Sequence, residues 1–327
     1  MLEKITPSRL KGSFAGRPLL LGKVWRKRAL VILGLVGALF VIGHLAVRFV
    51  LWPQIEKSKV SIERLMSARI GADVSIDKLE VFWTGIRPGF EIEGLRFNGP
   101  DQSKPLLFIQ EIKGELSWNS FYHFAPYFHE MNFKSAQIYV RRDAKGQITV
   151  AGLPIHSKPD DYSAENWLFA QNEIQVNDLK LIWDDQKSQK PISTIDIQNL
   201  NLSNGIRRHR GGLNATSPWT NGPIEIKVDF AHRLTGQAGN WRNWIGAIEW
   251  NLKDVNVTQI TKEFKFRPNT LEGQVTSKGK LNIDNGKPDG GDIYLAADNL
   301  VVQLSKDEDA IAFGRIETNL LQENIDG

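Results

Sequence analysis

An eight-residue pattern, apolar-x-apolar-x-small-apolar-x-apolar, recurs along this 327-residue chain and constrains its fold more than any other feature. It reads FEIEGLRF from Phe90, MNFKSAQI from Met131, IQVNDLKL from Ile174, IDIQNLNL from Ile195, WNLKDVNV from Trp250 and, more loosely, LAADNLVV from Leu295. Each half alternates as a half-buried strand does, but the alternation skips a beat in the middle. In a regular strand such a slip turns every later side chain to the opposite face. Position five is Gly94, Ser135, Asp178, Asn199, Asp254 or Asn299, residue types that tolerate turn or bulge geometry. Two readings are open. An extra residue there forms a β-bulge, returning the second apolar pair to the first face and leaving one unbroken apolar side on a bent sheet. Alternatively, position five ends a strand at an ordinary turn. The copies are too unevenly spaced for a solenoid of fixed period and suit an antiparallel meander.

The segments around these copies are also β-rich. Val74 to Trp83, Phe90 to Asn98, Ala136 to Arg142 and Gln147 to Ala151 read as strands, with a hairpin turn at Asp143-Ala144-Lys145-Gly146. From Leu107 to Trp118, Phe108, Ile112, Leu116 and Trp118 are expected on one face, and Glu111, Lys113, Glu115 and Ser117 on the other. Ser157 to Ser163 reads as a polar loop, Ala164 to Asn172 as a short helix, and Asn204 to Pro223 as a long irregular segment. With so few helices to cover it, the apolar face must close on itself, pack on another sheet, or stay available to something apolar.

The N-terminus is of a different kind. Ala29 to Gly43 is apolar without interruption, and the run continues to Trp52 past His44 and Arg48. As a helix, residues 29 to 51 would reach about 35 Å, enough for a hydrocarbon core of about 30 Å. Arg48 can snorkel beside Trp52 at the interface. A cleaved signal peptide is the competing reading, but no small-x-small cleavage site lies between the start of the apolar run at Ala29 and Trp52. Residues 1 to 28 carry eight Lys and Arg against Glu3, a net +7, so the other 299 residues carry −3 of the chain's +4. The basicity behind the pI of about 9.1 therefore belongs to the tail. It places the N-terminus in the cytoplasm and argues against nucleic acid as a partner. From Pro53 to Ile70 the chain reads as an amphipathic helix with Ile55, Ile62, Leu65, Met66 and Ile70 on one stripe and Gly71 as its stop. The expected organisation is a basic tail (1–28), a transmembrane anchor (29–52), an amphipathic helix (53–71) and a β domain (72–327).

No catalytic constellation emerges. There is no cysteine, the six histidines are scattered, and neither a phosphate loop nor a GxSxG elbow occurs. His123 and His129 sit in an aromatic stretch, and Asp160-Asp161 and Asp184-Asp185 read as solvated turns. No catalytic residue, metal site or cofactor is expected. Arg207, Arg208 and Arg210 form the one local basic cluster, a loop suited to a headgroup phosphate, an acidic partner or simply solvent.

The succession of elements resembles the AsmA-like envelope proteins, and most closely the YhdP family. The resemblance is carried by the single N-terminal anchor, IEKSKVSIERLMSARIGADVSIDKLEVFW, IYVRRDAKGQITVAGL, WLFAQNEIQVNDLKLIWDD and IDIQNLNLSNGIRRHRGGLNATSP, in that order from about residue 29 onward. Family members are longer, so the chain reads as an N-terminal portion. The resemblance implies a mostly β protein, in which an inner-membrane anchor and a short helix precede a long, curved, predominantly antiparallel sheet forming an open groove. It implies a periplasmic body, phospholipids as cargo on the way to the outer membrane, and periplasmic or outer-membrane partner proteins. Candidate groove residues are Phe108, Ile112, Leu116, Trp118, Ile174, Val176, Leu179, Leu181, Ile195, Ile197, Leu200 and Leu202. A scaffold with a sealed core, assisting outer-membrane protein assembly, is the alternative.

Overall fold

The fold was analysed in a computed structural model, which describes residues 23–99, 105–154, 161–187, 192–234, 236–259, 270–303 and 309–322. Most of the basic tail and part of the polar loop expected after Ser157 lie outside the described residues. The chain divides into two compact units, Met1–Leu51 and Trp52–Gly327.

The first unit holds helix α1 (Lys23–Ala46) and a π-helical turn over Val47–Leu51. Its apolar side chains are exposed, as they would be in a bilayer. The helical stretch Trp25–Lys57, whose most apolar 18-residue window has a mean hydropathy of 2.6, is long and apolar enough to cross a membrane by length and composition.

The second unit begins with α2 (Trp52–Lys57) and α3 (Lys59–Ile70), two helices where the sequence suggests one, parted at Ser58. Gly71 ends α3 in the left-handed conformation (φ 74°), its N–H bonded to Ser67 O, as the sequence leads one to expect. Of the expected stripe, Ile55, Ile62, Met66 and Ile70 pack on the sheet, but Leu65 points to solvent.

The strands follow as β1 (Asp73–Ser75), β2 (Lys78–Thr84), β3 (Arg87–Asn98), β4 (Pro105–Leu116), β5 (Phe128–Arg142), β6 (Ile148–Val150), β7 (Leu153–Pro154), β8 (Glu173–Asp185) and β9 (Ser193–Asn204). Then come β10 (Arg208–Thr216), β11 (Ile224–Ala231), β12 (Ile245–Asn256), β13 (Thr270–Asp284), β14 (Lys287–Gln303) and β15 (Ile311–Gln322). Helix α4 (Asn119–His123) lies between β4 and β5, and α5 (Ser163–Phe169) precedes β8. All these strands form one open sheet, ordered β1-β3-β4-β5-β8-β9-β10-β11-β12-β13-β14-β15, with β2 beside β1 on β3 and the β6–β7 hairpin on β5. Every pairing is antiparallel except β5 with β8. That exception follows from the β6–β7 hairpin and α5, which carry the chain back to the starting end before β8. The first edge is protected, since Glu56 and Glu63 accept the N–H groups of Val81 and Ile76 (2.8 Å each).

Strands run straight through position five, so the turn reading fails. Gly94, Ser135, Asp178, Asp254 and Asn299 have φ between 49° and 64°, while Asn199 does not adopt the left-handed conformation. The bulge reading holds in part. Asp254 and Asn299 stand at register shifts, with two residues opposed by one. Gly94, Ser135 and Asp178 do not, because each neighbouring strand also carries one extra residue at the same level. Thus Glu93 faces Glu111 and Leu95 faces Ile109 without a shift, and the same holds across β4–β5, β5–β8 and β8–β9. The insertions form a crease running across five strands. It is resolved between β9 and β10, where the register shifts by one. On both sides of the crease the apolar residues face the same way, Ile92 and Leu95 or Val176 and Leu179 packing in one core.

This account predicts opposite outcomes for two position-five substitutions. At Gly94 a Cβ would meet the Asp77 carboxylate at 2.0 Å, and that carboxylate is held by Arg96 at 2.6 and 2.8 Å. Gly94→Ala should cost about 1–3 kcal/mol in urea unfolding. Asp178→Gly, which removes a side chain from a left-handed residue, should cost nothing or gain up to about 1 kcal/mol.

Candidate functional site

Residues directly opposite across a ladder share a face, so the registers trace what lies side by side. Starting at Leu79, the chain of partners runs Ile92, Ile112, Phe133, Val176, Leu200, Leu213, Ile226, Trp250, Gly279, Ile293 and Leu320. It crosses twelve strands without one polar side chain. At about 4.8 Å per strand the row is about 50 Å long. Beside it runs Val81, Phe90, Gly114, Met131, Ile174, Leu202, Gly211, Val228, Ile248 and Leu281. Across the crease, Leu95, Ile109, Ala136, Leu179, Ile197, Ala215, Ile224 and Leu252 form a third. Two of the glycines lie under large rings. A Cβ would come within 2.7 Å of the Phe90 ring at Gly114 and 2.5 Å of the Trp250 indole at Gly279.

The outer face has the opposite character. Lys227, Glu249, Lys280 and Asp292 stand opposite one another on successive strands, with Lys280 Nζ 3.3 Å from Glu249 Oε1. Alternating charges at these positions suit a face turned to water.

The apolar face is well covered at one end and, among the described residues, less covered at the other. From β1 to β11 it forms a core, with α2 and α3 packed on it and Leu79, Leu95, Ile109, Ile112, Leu179 and Ile197 buried. A cavity of about 580 Å3 remains there, lined by Leu107, Ile109, Ile138, Val150 and Leu153. Over β12 to β15, Ile248, Trp250, Leu252, Leu281, Ile293 and Leu295 are only partly buried, while Val255 and Val257, where a helical turn follows β12, are buried. Leu320, at the end of the first row, is 52% exposed. That is the available part of the face.

The candidate residues divide accordingly. Ile112, Ile174, Leu179 and Ile197 are buried, and Leu116, Val176, Leu181, Ile195, Leu200 and Leu202 are partly buried on strands of the same sheet. Two depart from the expected face. Phe108 lies outside the core, its ring 5.3 Å beneath the Arg96 guanidinium, because β4 has its own extra residue at Gln110-Glu111 that plain alternation overlooks. Trp118 lies beyond the end of β4, its ring 5.0 Å from that of Phe121. The less covered region contains none of the candidates.

The arginine cluster is not a loop. Arg208 and Arg210 belong to β10, inside the sheet, and both bind Asp229: Arg208 at 2.6 and 2.7 Å, Arg210 at 3.2 Å. The Arg208 hydrogen bond holds the Asp229 carboxyl below the usual carboxylate range. Arg207 Nε donates to His232 O (3.0 Å). Asp184 and Asp185 are likewise on β8 rather than a turn. Asp184 accepts from Tyr139 Oη and Arg141 (3.0 Å each), and buried Asp185 accepts from Arg142. Among the described residues no group of three or more His, Asp or Glu could hold a metal ion.

The family model for the YhdP protein matches residues 20–324. The chain belongs to the YhdP family. No curated protein and no solved structure matches it. YhdP membership points to an envelope role of the lipid-transport kind, and the single candidate membrane helix is consistent with a single-pass anchor in the inner membrane.

In this YhdP-family sheet an aromatic cluster around buried His209 and His232 lies at one end of β10 and β11, joining α5 to the segment before β12. His209 stacks on His232 (5.3 Å) and packs against Phe169 (4.8 Å), which meets Trp244 (5.1 Å). Burial first, and His232 second, push the His209 pKa from 6.5 down to about 4. The ring therefore stays neutral in the fold while the unfolded chain takes up a proton below about 6.5. Stability should be full above that pH, fall as pH drops from about 6.5 to about 4, and level off below for this group. Urea midpoints across this window should show the slope, and His209→Gln should flatten it.

Proposed function

We propose that this protein is an inner-membrane-anchored, periplasmic lipid-transfer protein whose sheet offers phospholipid acyl chains an apolar path toward the outer membrane. The observation that carries the reading is the row from Leu79 to Leu320, apolar on each strand it crosses, backed by a charged outer face and only partly buried over β12 to β15 among the described residues. Burying a methylene is worth about 0.8 kcal/mol, so leaving a chain of about sixteen carbons in water costs about 12 kcal/mol. A surface that stays apolar from strand to strand removes most of that barrier without a bond being made or broken. The proposed activity needs no catalyst or cofactor. The basic tail favours a cytoplasmic N-terminus and a body on the other side of the membrane.

Photo-crosslinking in cells tests this. Probes at Ile226, Ile248, Leu281 and Ile293 should give phospholipid adducts, and probes at Lys227, Glu249 and Lys280 on the outer face should not. Protein adducts alone at the inner positions would favour a scaffold for outer-membrane protein assembly. Equal lipid labelling of both faces would remove the case for a groove. A polar block, Ile248→Asn, should abolish transfer and lower the urea midpoint less than the same change at buried Ile174, because Ile248 is only partly buried.

A further inference from the structure

The segment from Trp118 to Tyr127, WNSFYHFAPY, joins β4 to β5 and carries no Asp, Glu, Lys or Arg. It projects its largest apolar groups into solvent. Phe124 is 97% exposed and Tyr122 81%, beside partly exposed Phe121. A single exposed apolar residue needs no explanation, and Ile206 and Leu234 protrude singly from turns farther along the same edge. This group is different because it is built. Ser120 Oγ both donates to Tyr127 O (2.7 Å) and accepts from Tyr127 N (2.9 Å), while Ser117 N donates to Tyr127 O (2.8 Å). Trp167 Nε1, from α5, donates to Pro126 O (3.0 Å). Phe124 sits at the tip in a left-handed conformation (φ 49°), uncommon for an aromatic residue.

The position of the loop identifies its partner. At the same end of the sheet the β2–β3 turn exposes Ile86 (58%), and Trp52 Nε1 donates to Gly89 O (2.9 Å). Gly89 lies opposite Glu115, one residue before β4 ends. Trp52 follows directly in sequence on the apolar stretch that ends at Leu51. The end of the sheet bearing the loop is therefore the end at which the chain leaves the candidate membrane span. Aromatic side chains with polar tips, with no charge to desolvate, are the chemistry of the bilayer interface.

We infer that the loop Trp118–Tyr127, with Ile86 beside it, is a membrane-contact element that inserts Tyr122 and Phe124 into the interface of the bilayer holding the anchor. The inference rests on the anchor reading and is independent of whether the groove carries lipid.

The chain has no cysteine, so single labels are unambiguous. The full chain would be reconstituted in vesicles of phosphatidylethanolamine and phosphatidylglycerol, with an environment-sensitive fluorophore on Tyr122→Cys, Phe124→Cys or, at the opposite end, Lys145→Cys. The first two should emit blue-shifted light and be quenched by lipid-borne quenchers, and the third only by aqueous iodide. If the protein floats with the vesicles but labels at 122 and 124 behave like that at 145, the inference is overturned and the anchor stands. If the protein does not float, both fall. A label on Ile248→Cys reports the groove separately.

Discussion

Everything distinctive about this sheet depends on one geometric condition: a residue inserted into a strand must be matched by an insertion in its neighbour. A lone extra residue disrupts the ladder locally and leaves an unpaired backbone group. Here β3, β4, β5, β8 and β9 each carry one at the same level, so the hydrogen-bond ladder continues and only the side-chain phase changes. Left-handed residues on three of these strands make that phase change, at a backbone cost of about 1–2 kcal/mol for an ordinary residue and little for glycine. The return is a sheet whose apolar side stays on one side along the whole length of each strand.

That side is then treated differently along the sheet. Over the first strands, α2 and α3 lay Ile55, Ile62, Met66 and Ile70 on it and turn it into an ordinary core. Hydrophobic burial there holds the fold together. Over β12 to β15 the same rows continue only partly buried among the described residues. Those strands are held by their ladders and by cross-strand ion pairs on the outer face, such as Lys280 with Glu249. Stability and availability are thus separated in space, so a less covered face does not have to come from a weak core. The aromatic loop joins two of the covered strands, at the strand ends to which Trp52 is bonded through Gly89.

Much of the fold could be read from the sequence, because alternation, the skipped beat and the Gly71 stop are local signals. Asp178 and Asn299 announce left-handed geometry by their residue type. Whether an extra residue is shared with the next strand is not local. It depends on pairing between separate segments, as between Gly94 on β3 and Gln110 on β4, and for that reason plain alternation puts Phe108 on the wrong face. The β10 strand is hidden in a Gly- and Arg-rich run in which Arg208 and Arg210 share Asp229, a partner on another strand. Alternation also marks which side is apolar but not which part of it is covered. Ile174 and Leu179 show as strong a pattern as Ile248 and Trp250, yet only the former pair is buried. The less covered residues could have been found from IGAIEWNL only once the capping helices had been assigned to the other end.

The central claim is that acyl chains occupy the less covered rows. A nitroxide on Ile248→Cys and a second at mid-chain on phosphatidylglycerol would report this directly through their dipolar coupling. Strong coupling at Ile248, absent when the protein label is moved to Glu249 on the outer face, is the predicted result. Bound lipid that couples to neither position, or equally to both, would contradict it.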